Sequence, residues 1–242
     1  MKRTILNLIF SVIVIWPASA QQDYEKAIDL STYFLGAQRS GDNDSWIHAA
    51  SHTQDGLSLV PSVDLEGGWH DCGDYLKFSF TNNWAATMYL LGIHFFPSGY
   101  PDNYSIAFSA PPPNGIPDIL DEVKIQTDFI IKSYNGGAVV QQVGHGDYDH
   151  SGSFSEPFTM SAQPVNKGGD PRPIYIDGSC TNVIGSAAAA LALMSMEYRY
   201  YDVYYADECL EAAKKFSLLE KQKWKIVVEV KIVFRGGIPV II

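Results

Sequence analysis

Between Tyr24 and Leu219, apolar side chains return at helical spacing in five separate segments, while strict alternation is almost absent. A chain patterned this way must pack helix on helix, with its long connections crossing the helix ends. The first segment sets Ala27, Ile28, Ser31, Phe34 and Leu35 on one face and stops in the turn-rich Arg39-Ser40-Gly41-Asp42-Asn43. A second carries Trp84, Ala85, Met88, Leu91, Gly92 and Phe95 and ends at Pro97-Ser98-Gly99. The third opens on Asn114-Gly115-Ile116-Pro117-Asp118, where proline near the first turn and Asp118, Asp121 and Glu122 suit a helix amino terminus. Its face is Ile116, Ile119, Leu120, Val123, Ile130, Ile131 and Tyr134. An alanine block predicts a fourth helix from Val183 to Met196, and a fifth runs from Val203 to Leu219. The expected class is therefore all-α, with Ala138 to Val143 as a short extended piece before the His145 loop. Connections this long are uncommon unless they carry function.

The two ends differ from this plan. Lys2 and Arg3, the apolar run from Ile5 to Trp16 and then Ala18-Ser19-Ala20 predict a signal peptide over residues 1–20, cleaved after Ala20. An uncleaved anchor is the alternative. A secreted protein is expected, because no later segment approaches the ~20 apolar residues of a membrane helix. Residues 219–242 form an atypical tail, β-branched and basic from Trp224 to Phe234 and ending on Ile238-Pro239-Val240-Ile241-Ile242. It reads either as a terminal strand or as a non-native segment. A lone apolar strand without a partner is an aggregation hazard, which favours the second reading.

With 17 Lys+Arg against 27 Asp+Glu the formal charge is -10, which excludes a protein held mainly by nucleic-acid phosphates. Hydrophobic residues at 46% suffice for one sizeable core. Cys72, Cys180 and Cys209 are too widely spaced for a disulfide framework or a zinc knuckle, and they read as small buried residues.

The segment Gly67-Gly68-Trp69-His70-Asp71-Cys72-Gly73-Asp74-Tyr75 holds the most chemistry. Two carboxylates three positions apart, among glycines and aromatics, can polarise one water and take its proton. A pair of this kind also occurs as plain solvated loop charge. Trp69 reads equally as a stacking surface for a sugar ring and as packing. His70 orients the turn or touches substrate, whereas Trp46 and Trp84 read as core aromatics. In the later loop, Asp149 and His150 either satisfy their own backbone or face a ligand. The set His145, Asp147, Asp149 and His150 also has the donor types of a metal site.

Four stretches in order resemble glycoside hydrolase family 9, the endoglucanases and related β-glucanases. They are Gln38-Arg39-Ser40-Gly41, the run from Asp64 to Phe78 around Asp71-Cys72-Gly73-Asp74, Asn114 to Glu122, and Gln142-Val143-Gly144-His145-Gly146-Asp147-Tyr148-Asp149-His150. The resemblance runs from about Gln22 to Phe216. It implies an (α/α)6 barrel and hydrolysis of β-1,4-glucan, that is, cellulose degradation with inversion at the anomeric carbon. By that resemblance Asp74 is the general base and Asp71 helps to hold the water, while Asp149 and His150 match a pair close to the bound glucan; Trp69 and His70 join them as substrate-binding candidates through their place beside the carboxylates. Inversion also needs a general acid across the sugar, roughly 6.5–9.5 Å from the base. In the family this is a glutamate near the far end of a longer domain, and no segment here matches it. Residues 21–218 are thus expected to be a partial catalytic domain whose incomplete barrel calls for a partner or is poorly soluble. Cys72 replaces the motif's usual alanine, and Ser153-Phe154-Ser155-Glu156-Pro157 stands roughly where tryptophan is frequent. Calcium sites of some relatives are not carried over, because Asn182 and Ser186 stand where acids are expected. No cofactor or metal is assigned; the partner is a β-glucan, with no nucleic acid and no membrane, and oligomeric state is left open.

Overall fold

Helix α1 (Tyr24–Ala37) starts at Asp23, whose carboxylate accepts from Lys26 N at 2.8 Å and satisfies one of the free amides of the first turn. This is the first element of the computed structural model, which describes residues 23–42, 48–104, 112–135, 137–151, 155–177 and 179–233. The expected signal segment, Trp46, Ser153, Phe154, Gly178 and the tail after Val233 lie outside the described residues.

Helices α2 (Ser79–Phe95), α3 (Asp118–Lys132), α6 (Thr181–Glu197) and α7 (Val203–Val233) build the main core. The short helices α4 (Gly146–Ser151) and α5 (Pro157–Ser161) sit in the loops between. The alanine-rich α6 packs against both α2 and α7, because Ala187 and Ala190 let the neighbouring backbones approach. Four of the five expected helices thus appear with nearly the predicted bounds. The fifth corrects the sequence reading: α7 does not stop near Leu219 but continues through the β-branched stretch as far as Val233. No glycine or proline interrupts residues 203–233. Extending a nucleated helix through β-branched residues costs less than ~0.7 kcal/mol each.

The inward face of α2 is also corrected. Trp84 is 55% exposed, and with Phe80 and Met88 it forms an outward apolar stripe at four-residue spacing. The buried face is instead Asn82, Asn83, Ala86, Thr87, Leu90 and Ile93. Its asparagines obscured it in the sequence. Each is paired: Asn82 Nδ2 donates to the Trp69 carbonyl at 2.7 Å, and Asn83 Oδ1 accepts from Gln126 Nε2 at 3.1 Å.

A small antiparallel sheet, absent from the all-α expectation except for one piece, positions the loops. Its strands are β1 (Lys77–Phe78), β2 (Tyr134–Asn135), β3 (Ala138–Val143) and β4 (Ile174–Asp177). β3 is central, pairing with β4 along one edge and with β2 and β1 on the other. Lys77 lies opposite Val143, so the end of the carboxylate segment and the start of the His145 loop leave the sheet side by side. Beneath them Leu65, Phe129, Val140 and Val143 form a second, smaller apolar cluster.

Candidate functional site

The carboxylate loop is built from its glycines inward. Gly68 has φ +72°, and a Cβ there would lie 2.8 Å from Phe129 Cγ, so only glycine lets the chain turn this tightly against α3. The next residues run antiparallel to the end of α1: Ser40 N donates to the Gly68 carbonyl at 2.9 Å and His70 N to the Gln38 carbonyl at 2.7 Å. Asp71 N then donates to the Leu76 carbonyl at 2.7 Å, closing residues 71–76 into a compact turn.

The two aspartates project differently from this turn. Asp71 Oδ1 accepts from Thr81 Oγ1 at 2.8 Å, which ties it to the first turn of α2. Asp74 Oδ1 accepts from Leu76 N at 3.0 Å, and its Oδ2 accepts from His150 Nε2, also at 3.0 Å. Asp149 joins from α4, its Oδ2 accepting from Tyr75 N at 3.2 Å. Polar atoms of Asp74, Asp149 and His150 lie within 4.8 Å of one another. The β1–β3 pairing thus brings together residues 76 positions apart in the chain.

Charge follows this geometry. The hydrogen bond to Asp74 raises the His150 pKa, favouring an imidazolium beside a carboxylate. Burial raises the Asp149 pKa, and the neighbouring Asp74 charge adds to the shift. One hydrogen bond, from His150 to Asp74, lies inside the group, and Asp149 Oδ1 is buried without a hydrogen-bond partner, so the trio offers proton-transfer groups whose donor types also suit a metal ion. His145, weighed with it in the sequence, is outside: its ring stacks on Tyr148 at 4.3 Å. Asp147 is exposed.

Two substrate contacts expected from the sequence are corrected. Trp69 is 1% exposed, its Nε1 donating to Glu122 Oε1 at 2.9 Å, so its ring faces the core and offers no platform to a sugar. His70 is also 1% exposed, wedged edge-on against His52 and Tyr75 with centroids 5.5 and 5.1 Å away. Cys72, expected to be buried, is exposed, while Cys180 is half-buried and Cys209 buried; none of the three forms a disulfide among the described residues. Cys72 and Gly73 edge a cleft of about 440 Å³, whose other walls include Gln38, His48, Tyr75 and Glu156.

Two buried ionic groups behind the loop escaped the sequence reading. Arg39 and Glu122 pair through Nη2 and Oε2 at 2.6 Å, both essentially without solvent contact. Asp55 accepts from Arg172 Nε and Nη2 at 2.9 and 2.6 Å and pairs with Lys77 at 2.6 Å. The only signal was the presence of Arg39 and Glu122 inside the quoted motifs. Asp55 and Arg172 stand in polar stretches that look like ordinary surface loops. His52, Asp55 and Asp170 also converge within 4.8 Å, but Arg172 and Lys77 already supply the positive charge there.

With this geometry in place, comparison with known proteins decides the family. The sequence profile described as Glycosyl hydrolase family 9 matches residues 24–231. The chain belongs to glycosyl hydrolase family 9. Among family relatives, it is 29% identical over 197 residues to Endoglucanase A of Fibrobacter succinogenes, covering 74% of this chain and 42% of that protein. It is 33% identical over 213 residues to Endoglucanase 23 of Oryza sativa subsp. japonica, covering 84% and 37%. The solved cellulase Cel9M of C. cellulolyticum in complex with cellobiose superposes with a TM-score of 0.67 at 27% identity, covering 84% of this chain and 44% of that one. The termite Nasutitermes takasagoensis endoglucanase gives 0.67 at 28% identity, with 90% and 48% covered. The chain spans less than half the length of each of these family 9 relatives. Its fold is accordingly part of the family's (α/α)6 barrel.

Proposed function

We propose that the chain is the amino-terminal part of a secreted glycoside hydrolase that cleaves β-1,4-glucan, a cellulose-degrading activity, by single displacement with inversion. The observation that carries this reading is the convergence of Asp74 with Asp149 and His150 on a loop of a family 9 fold. Asp74 accepts the proton of the attacking water through the carboxylate that Leu76 N and His150 hold in place. Asp71, fixed by Thr81, orients that water from the other side of the turn. Asp149 and His150 present polar atoms toward sugar hydroxyls. No residue of this chain is assigned as the general acid. The acid belongs to the part of the relatives' length that this chain does not span. Homology to named endoglucanases supports the substrate class, and the apolar amino-terminal segment supports secretion. No described helix is long and apolar enough to cross a membrane.

The short span relative to those enzymes favours one alternative: a non-catalytic carbohydrate-binding protein that keeps half of a cleft. Reducing-sugar release from a soluble β-1,4-glucan separates the two, assayed with the chain joined to the remaining barrel and with Asp74→Asn as control. The hydrolase reading expects turnover to fall by about 10²-fold or more while glucan affinity is kept. Equal loss of binding and turnover, or turnover indifferent to Asp74, would overturn the assignment.

A further inference from the structure

The two ends of the carboxylate loop are held by buried cations. Lys77 Nζ donates to the Gly67 carbonyl at 2.6 Å and the Leu65 carbonyl at 3.1 Å, both upstream of the aspartates. Arg172 Nη1 donates to the Tyr75 carbonyl, just downstream of Asp74. Both cations converge on one carboxylate: Asp55 takes the Arg172 fork on its two oxygens and Lys77 on Oδ2. All three side chains are at most 2% exposed. Burying three charges costs several kcal/mol each before pairing offsets it, and an apolar cluster of similar volume would serve stability as well or better. What an apolar cluster would not do is bond backbone carbonyls on both sides of a loop whose two functional carboxylates are only three residues apart. The fork of arginine matters here, because one guanidinium spans the Asp55 carboxylate and the Tyr75 carbonyl together.

We infer that Asp55, Arg172 and Lys77 form a positioning device that clamps the loop from inside and fixes where Asp74 meets His150. The functional meaning rests on the reading of Asp74 as the general base; the clamp itself is tested without turnover. The probe is the His150 imidazole, followed by proton NMR as pH is varied and assigned with His150→Gln. Arg172→Lys keeps the charge and removes the fork. Its loop should relax, separate Asp74 from His150 and lower the His150 midpoint measurably toward the ordinary value near 6.5. Phe216→Leu, which empties part of the helical core, should leave that midpoint unchanged at comparable loss of stability. A midpoint unmoved by Arg172→Lys, or moved equally by Phe216→Leu, would overturn the clamp. Lys77→Met is the second variant: it leaves the Asp55–Arg172 pair balanced, frees the Gly67 carbonyl and should shift His150 in the same direction. Should neither variant fold, amide exchange of the unmodified chain decides. A clamped loop protects the Asp71, Tyr75 and Leu76 amides as strongly as the core of α6, and exchange through easy local opening would refute it. If His150 responds as expected yet Asp74→Asn leaves glucan hydrolysis unaffected in the joined protein, the clamp stands and the hydrolase assignment fails.

Discussion

Glu122 accepts three kinds of donor contact at zero exposure: the Arg39 Nε, the Arg39 Nη2 and the Trp69 indole. Glu122→Gln keeps the shape but removes the buried carboxylate that pairs with Arg39, which should cost about 3 kcal/mol. Urea unfolding followed by circular dichroism reads this directly, and a loss under ~1 kcal/mol would mean that water reaches Arg39. Trp69 of the loop and Trp84 of α2 make a matched contrast. Trp69→Ala removes a fully buried ring and should cost about 3–5 kcal/mol, whereas Trp84→Ala, on the exposed face of α2, should cost less than ~1 kcal/mol. Acrylamide should correspondingly quench Trp84 emission and spare Trp69, and single-tryptophan variants would report the difference.

At the scale of elements, α6 succeeds because its small residues face two helices at once. Ala190 is 0% exposed in the cluster shared by α2 and α7, so Ala190→Leu should overpack that contact and cost about 1–3 kcal/mol in thermal unfolding. The helices were legible in the sequence because tertiary burial writes a 3.6-residue period along each of them. The sheet was mostly illegible for the opposite reason. β1 and β2 are two residues long and show no period, and their partners are supplied by distant parts of the chain. Asp71 and Asp74 could be picked out because glycines and aromatics crowd them. The burial of Trp69 and His70 could not, since a ring that seals a loop and a ring that stacks on sugar sit in the same residue context. Asp55 and Arg172 were invisible because their meaning is a pairing across 117 positions. The continuation of α7 past Leu219 was likewise hidden under a β-branched composition.

For the molecule as a whole, two buried groups give stability opposite dependences on pH. Burial, then the charge of Arg172, lowers His52 to about 4, despite its bond to Asp170 at 2.9 Å. Below its ordinary value of 6.5 the unfolded chain takes up a proton that the folded chain refuses, so stability falls as pH drops from 6.5 to about 4. The loss amounts to about 3 kcal/mol, with His70 acting in the same sense because burial and then Arg172 lower it too. Asp121 acts oppositely: burial raises it from 3.8 to about 6, and Asp118 and Asp102 add to this. The folded chain keeps that proton when the unfolded chain has released it, so stability falls as pH rises across this window, by about 1 kcal/mol after allowance for solvent screening. Melting temperatures from pH 4 to 7 should therefore change slope in opposite directions for His52→Gln and Asp121→Asn. Parallel curves would show that neither proton is linked to folding.

The clamp also sets an order of events during synthesis. Tyr75 meets Arg172 across 97 positions, and Asp74 meets His150 across 76. At roughly 5–20 residues per second, a ribosome needs about 5–20 s after making the loop to deliver the guanidinium that holds it. Until then the paired acids are an open, high-contact-order segment. The loop is closed by a residue the chain makes well after the loop itself.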